Sequence, residues 1–160
     1  VIFASSIHAV SGYPPGYQVH EDDPVNPGDL YGVSKCFGEA LCRMVAVQQG
    51  MSSIALRIGA FQPREKARHP DSIGIMNAFV SHRDLDQLIC RCIDDERLLF
   101  AIFHGLSDNR FNRMSIQSAR ELVGYRPQDD FTELNRELSE LRLRRQVNPH
   151  DSSHSGRMAI

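Results

Sequence analysis

The chain has 160 residues, of which 41% are apolar and 24% are charged, and its formal net charge is −2. This composition predicts one globular domain and excludes wholesale disorder, a basic nucleic-acid-binding field and a membrane-spanning helix. Four cysteines without a recognisable secretory leader indicate a reducing environment, so we expect a cytoplasmic protein without membrane or nucleic-acid partners.

The first part of the chain predicts a strand, a long loop and a helix. An apolar run predicts a buried strand at Val1–Ala4. Buried strands of parallel sheets need neighbouring strands on both sides, so we expect this chain to be a piece of a longer protein. Prolines and glycines predict an irregular, functional loop over Ser11–Asp29. Leu30–Gln49 follows as a helix, with Asp29 as its N-cap and Gly50 as its terminating glycine. Its predicted apolar face consists of Val33, Phe37, Leu41, Met44 and Val45.

The middle of the chain repeats this alternation. Ser53–Ile58 predicts a second strand, and Gly59–Ile75 predicts another loop. Ser81 predicts the N-cap of an amphipathic helix, and Leu98–Phe103 predicts a third strand. Alternating strands and helices are typical of an α/β fold with a parallel sheet, in which ligands bind beyond the carboxyl ends of strands.

The last part of the chain predicts helices followed by a tail. Ser115 would cap a short helix that ends at Gly124, and Phe131–Arg145 predicts a final helix. We therefore expect a partial catalytic domain over residues 1–145 and a polar C-terminal tail over residues 146–160.

Tyr31 and Lys35 form the strongest local chemical signal. Residues i and i+4 lie on one face of a helix, so the two side chains would point the same way. An ammonium beside a phenol favours the phenolate, which makes such a pair a means of general acid/base catalysis. Ser6, at a predicted strand end, could donate a hydrogen bond to a substrate oxygen. A tyrosine and a lysine at this spacing also occur by chance in many helices.

Five segments give this pair a family context. In order, Phe3–Ser6, Glu21–Pro24, Leu30–Lys35, Leu56–Gly59 and Ser81–Leu85 resemble the extended short-chain dehydrogenases/reductases, the NAD-dependent epimerase/dehydratase family. The resemblance covers about residues 1–135 and implies a Rossmann-like, doubly wound parallel sheet. It also implies an NAD(P)-dependent oxidoreductase that acts on a sugar or sugar acid.

The resemblance also implies roles for individual residues. The catalytic triad would be Ser6, Tyr31 and Lys35. The residues at NAD would be Tyr31, Lys35, Ile58 and Ala60, and NADP remains possible. The substrate would contact Ser6, Ile7 and His8. No metal site is expected, because no histidines or cysteines have the spacing of zinc ligands.

Departures from the family pattern leave alternatives open. The family's glycine-rich phosphate-binding half is absent from this sequence. Family members that oxidise sugar acids carry Asn where Ile7 stands, and an arginine that binds the substrate carboxylate aligns with Gly74; Arg64 or Arg68 could replace it. The alternatives are a nucleotide-sugar epimerase of the same family and a truncated, non-catalytic product that acts by association. In either case the Tyr31–Lys35 helix could form a homodimer.

Overall fold

The computed structural model describes residues 1–141 and contains five strands. They are β1 (Ile2–Ser6), β2 (Ser53–Ile58), β3 (Ala60–Phe61), β4 (Phe79–Val80) and β5 (Phe100–Gly105). The central sheet has the order β1-β2-β5, and both of its strand pairs are parallel. β3 and β4 form a separate parallel pair. The parallel α/β fold predicted from the sequence is confirmed, since helices cover both faces of this sheet.

Two long helices and four short ones accompany the strands in the described residues. They are α1 (Leu30–Gln49), α2 (Arg64–Ala67), α3 (His82–Asp94), α4 (Gln117–Leu122), α5 (Phe131–Leu134) and α6 (Arg136–Glu140). Within residues 1–141, no helix is long and apolar enough to cross a membrane.

The bounds of α1 and β2 are those predicted from the sequence. The Asp29 side chain accepts a hydrogen bond from the Gly32 N–H at the start of α1, and Gly50 ends the helix with a φ of 66°. β1 extends two residues further than predicted, to Ser6, and β5 begins two residues later than the predicted Leu98. These shifts place Ser5 and Ser6 within β1 rather than after it.

β2 shows how the sheet separates an apolar layer from a polar one. Successive side chains of a strand point to opposite faces. Ile54 and Leu56 lie in the main apolar core, which also contains Leu88 of α3. Arg57 points to the other face and meets Glu39 of α1. The two long helices therefore cover opposite faces of the sheet, and only one of those faces is uniformly apolar.

The apolar face predicted for α1 points away from the sheet. Val33, Phe37, Leu41 and Met44 are all exposed, while the buried residues are smaller or polar. The buried set is Gly32, Gly38, Glu39, Cys42 and Ala46. Small residues let the helix backbone approach the sheet closely, which large side chains on that side would prevent.

Three other predicted elements differ from the structure. The predicted loop Gly59–Ile75 contains β3, α2 and a 3-10 turn at Pro70–Ile75. The predicted helix Phe131–Arg145 is broken into α5 and α6 at Asn135, whose buried side chain donates to the Ala67 and His69 carbonyls. The helix expected after Ser115 begins at Gln117. The predicted tail, residues 146–160, lies outside the described residues.

Candidate active site

Ser6 is the last residue of β1, and its side chain is buried. Its Oγ accepts a hydrogen bond from the His8 N–H at 3.3 Å and so caps the 3-10 turn Ile7–Val10. In the described part of the chain, no hydrogen bond joins Ser6 to Tyr31 or Lys35. The structure therefore places Ser6 at the carboxyl end of the strand, in a position fixed by its own turn.

Tyr31 and Lys35 lie next to each other on the first two turns of α1. The Lys35 ammonium is 5.2 Å from the centroid of the Tyr31 ring and 5.5 Å from that of Phe3. Lys35 Nζ also donates a hydrogen bond to the Ala4 carbonyl of β1 at 2.9 Å. Tyr31 is 52% exposed and thus open to a ligand. This bond and the ring contacts hold the start of α1 against β1.

His8 and Asp29 form a group with Tyr31 that sequence reasoning did not assemble. His8 Nδ1 lies 2.7 Å from Asp29 Oδ2, and the His8 and Tyr31 rings meet edge to face at 5.2 Å. Hydrogen bonds from the Gly32 N–H and from His8 lower the pKa of Asp29. Because the carboxylate accepts at Nδ1, the other ring nitrogen of His8 remains available for a ligand. The signal in the sequence was an aspartate at the N-cap, two residues before the tyrosine.

The other predicted ligand contacts lie at the end of β2 and in the turn after β1. Ile58 and Ala60 are partly buried, and the Ala60 N–H donates to the Ala78 carbonyl at 2.7 Å. Gly59 lies between them so close to that carbonyl that a Cβ would be 2.1 Å from its oxygen. Ile7 packs against the main core with part of its side chain accessible.

A buried polar cluster, which was not predicted from the sequence, lies under α1. Glu39, which is 3% exposed, accepts from Ser5 and Arg57, and Arg57 in turn lies 3.5 Å from His104. His104 Nδ1 donates to the Ser115 carbonyl at 2.8 Å, so its other nitrogen faces Arg57 unprotonated. Burial, with a smaller contribution from the Arg57 charge, lowers the pKa of His104 to about 4.

Two further features bear on where a ligand could bind. A cavity of about 770 Å³ lies between the loop after β1 and residues 109–117, and neither Ser6, Tyr31 nor Lys35 lines it. Arg64, one of the two arginines considered for a substrate carboxylate, has its Nε 3.1 Å from Asp129 Oδ1. Arg68, the other, is exposed. The tyrosine and lysine thus lie at an open edge of the sheet rather than in that cavity.

No protein-family model matches the chain. Among curated proteins, it is 31% identical to the uronate dehydrogenase of Agrobacterium fabrum over 140 residues, which are 88% of this chain and 51% of that protein. It is 34% identical to the NAD-dependent glucose-6-phosphate dehydrogenase of Haloferax volcanii over 143 residues, 82% of this chain and 53% of that protein. The chain spans about half the length of these relatives.

A solved structure gives the same match in three dimensions. The structure of uronate dehydrogenase from Agrobacterium tumefaciens superposes with a TM-score of 0.76 at 31% identity, covering 92% of this chain and 53% of that one. The parallel sheet and the helices on both of its faces therefore have counterparts in a solved protein.

Proposed function

Since the chain belongs to the extended short-chain dehydrogenase/reductase family, we propose that it is the catalytic part of an NAD(P)-dependent oxidoreductase for a sugar or sugar acid. The observation that carries this proposal is the Tyr31–Lys35 pair, with its ammonium 5.2 Å from the phenol ring, at the carboxyl end of β1. The carboxyl ends of strands are where ligands bind in open α/β sheets.

Each member of the proposed triad has one task. Ser6 donates a hydrogen bond to the reacting oxygen and orients it. Tyr31 accepts the proton of the substrate hydroxyl as that hydroxyl is oxidised. Lys35 favours the phenolate form through its charge. Ser6 Oγ only accepts from the His8 N–H, so its own rotatable O–H remains available to donate to the substrate.

The residues around Lys35 fit a nicotinamide cofactor. One N–H of the Lys35 ammonium donates a hydrogen bond to the Ala4 carbonyl, which leaves two further N–H donors for the hydroxyls of a ribose. In the proposal Tyr31, Lys35, Ile58 and Ala60 hold the cofactor, which supplies the hydride acceptor. NAD is our first choice, because a relative is named for it.

The proposed substrate contacts are Ser6, Ile7 and His8. His8, oriented by Asp29 at 2.7 Å, presents a ring nitrogen suited to a sugar hydroxyl. The class of substrate follows the relatives, of which one is named for uronates and one for glucose 6-phosphate. Arg64 is already paired with Asp129, so we do not assign it to a substrate carboxylate.

The outward face of α1 supports a homodimer. We define this face by the exposed residues Leu30, Val33, Phe37, Leu41, Met44 and Val47. Phe37 alone is 72% exposed. An apolar stripe of this length on one helix is typical of a protein–protein contact.

A cytoplasmic location also belongs to this proposal, since all four cysteines are free and lie within the described residues.

The test uses the complete product of the gene that encodes this chain. We expect saturable NADH binding, measured by fluorescence, and reduction of NAD with a hexuronate or an aldose. Tyr31→Phe should abolish the reduction and leave NADH binding measurable, because only the proton acceptor is removed. Conversion of a nucleotide sugar without net cofactor reduction would instead establish the epimerase. Absence of NADH binding by a folded protein would leave the non-catalytic alternative.

A further inference from the structure

The polar cluster under α1 crosses the whole central sheet. Ser5, Arg57 and His104 occupy facing positions on β1, β2 and β5, because Ser5 pairs with Arg57 and Arg57 pairs with His104 in the strand register. Glu39 is the member that comes from α1. The cluster therefore joins one helix to adjacent strands at a single level of the sheet.

Glu39 is held from two directions by directional bonds. Its Oε1 accepts from Ser5 Oγ at 2.5 Å and from Arg57 Nε at 2.9 Å. Its Oε2 accepts from an Arg57 terminal nitrogen at 3.0 Å. The pairing with Arg57 is bidentate, which fixes the orientation of the carboxylate as well as its distance. Both side chains are almost completely buried, so water does not compete for these bonds.

Tyr31, Lys35 and Glu39 follow one another at four-residue intervals along α1. At 3.6 residues per turn, such a series forms one strip on the helix surface. The strip lies along β1, since Lys35 binds the Ala4 carbonyl and Glu39 binds the next residue, Ser5. Ser6 follows at the end of the same strand. Because Glu39 lies on the same strip as Tyr31 and Lys35, its bonds to β1 contribute to fixing Tyr31 relative to Ser6.

The apolar contacts of α1 on β1 supply less of this constraint than the hydrogen bonds of Glu39 and Lys35 do. Gly38 lies over the Phe3 ring so closely that a Cβ would be 2.1 Å from it. The other small residues of that side, Cys42 and Ala46, make contacts without direction. Contacts of this kind hold a helix against a sheet but permit it to slide or rotate, whereas hydrogen bonds weaken steeply when their angles change.

We propose that Glu39 is a positioning residue, which registers α1 on β1 and β2 and thereby sets Tyr31 and Lys35 relative to Ser6. The catalytic meaning of those three residues rests on the proposed function. The registration itself does not, because it concerns only how the helix lies on the sheet.

The experiment measures two contacts between α1 and β1 by NMR in the 160-residue chain. The reporters are the cross-peaks between the Tyr31 and His8 rings and between Lys35 and the Phe3 ring, whose groups lie 5.2 Å and 5.5 Å apart. In Glu39→Ala we expect both cross-peaks to be lost. In Ser5→Ala, which leaves the pair with Arg57 intact, we expect both to weaken by a smaller fraction.

Two controls separate positioning from general destabilisation. Leu88→Ala removes a buried side chain on the opposite face of the sheet, so it should lower the unfolding midpoint and retain both cross-peaks. Glu96→Ala removes an exposed carboxylate and should change neither quantity. Wild-type cross-peaks in folded Glu39→Ala overturn the proposal; if that variant does not fold, wild-type cross-peaks in Ser5→Ala overturn it. No cofactor or substrate is present, so the outcome is independent of the proposed reaction.

Discussion

The two sides of α1 differ in a way that reverses the usual amphipathic helix. The side towards the sheet carries glycines, small residues and the charged Glu39, while the outward side carries the large apolar residues. On the sheet side, the contacts with β1 are short-range and directional, since the Glu39 carboxylate and the Lys35 ammonium each form a hydrogen bond with that strand. On the outward side, nothing in the described residues covers Phe37 or Leu41. Apolar periodicity therefore identifies a helix without identifying the surface that the helix contacts.

Removal of Glu39, on the sheet side of α1, should lower stability the most. Glu39→Ala would leave the Arg57 guanidinium buried without a counter-charge, so we expect a loss of about 3–5 kcal/mol in the free energy of unfolding. Urea denaturation at neutral pH measures this loss. The exposed Glu96→Ala should change the same free energy by less than about 0.5 kcal/mol. A similar small change for both variants would show that the cluster contributes little to stability.

An intermediate effect comes from pH and acts on the same side. His104 has a folded pKa of about 4, below the usual value of 6.5, so the unfolded chain binds its proton first as the pH falls. Stability is therefore complete above about pH 6.5 and decreases towards pH 4. Between pH 7 and pH 5 we expect the titration of His104 to lower the free energy of unfolding by about 2 kcal/mol. Urea denaturation curves at pH 7 and pH 5, for the wild type and for His104→Gln, test this prediction. The variant should lack the part of the stability decrease that is due to His104.

The smallest expected effect on stability comes from the outward side. Phe37→Asp replaces an exposed side chain, so the unfolding free energy of the monomer should change by less than about 0.5 kcal/mol. If the outward face forms the proposed homodimer, Phe37→Asp places a carboxylate in the dimer interface. The dissociation constant of the dimer should then rise strongly. Sedimentation equilibrium of both proteins measures this. A wild type that stays monomeric at high concentration would contradict the dimer and leave the contrast between the two sides without a function.

Local signals account for what the sequence predicted well. The bounds of α1 follow from Asp29 and Gly50, which act within their own turns, and β2 follows from a short, mostly apolar run. The spacing of Tyr31 and Lys35 needs only helix geometry. These features depend on neighbours in the chain, so a single sequence contains them.

Long-range contacts account for what the sequence did not predict. Asn135 breaks the expected final helix because its amide bonds to carbonyls 66 and 68 residues earlier. Glu39 faces inward because Arg57 lies on the next strand, 18 residues away. In both cases a buried polar partner outweighs the local helical preference, and nothing near those residues in the sequence identifies the partner.

Asp29 links the start of α1 to the side chain of His8. One oxygen of its carboxylate closes the first turn through the Gly32 N–H, and the other holds His8. Helix ends open and close more often than helix centres do. Each time this turn opens, the Tyr31 ring and His8 are released together. The proton acceptor and the sugar-binding imidazole of the proposed site thus persist only as long as one helical turn, which makes the lifetime of that turn an upper limit on the lifetime of the assembled site.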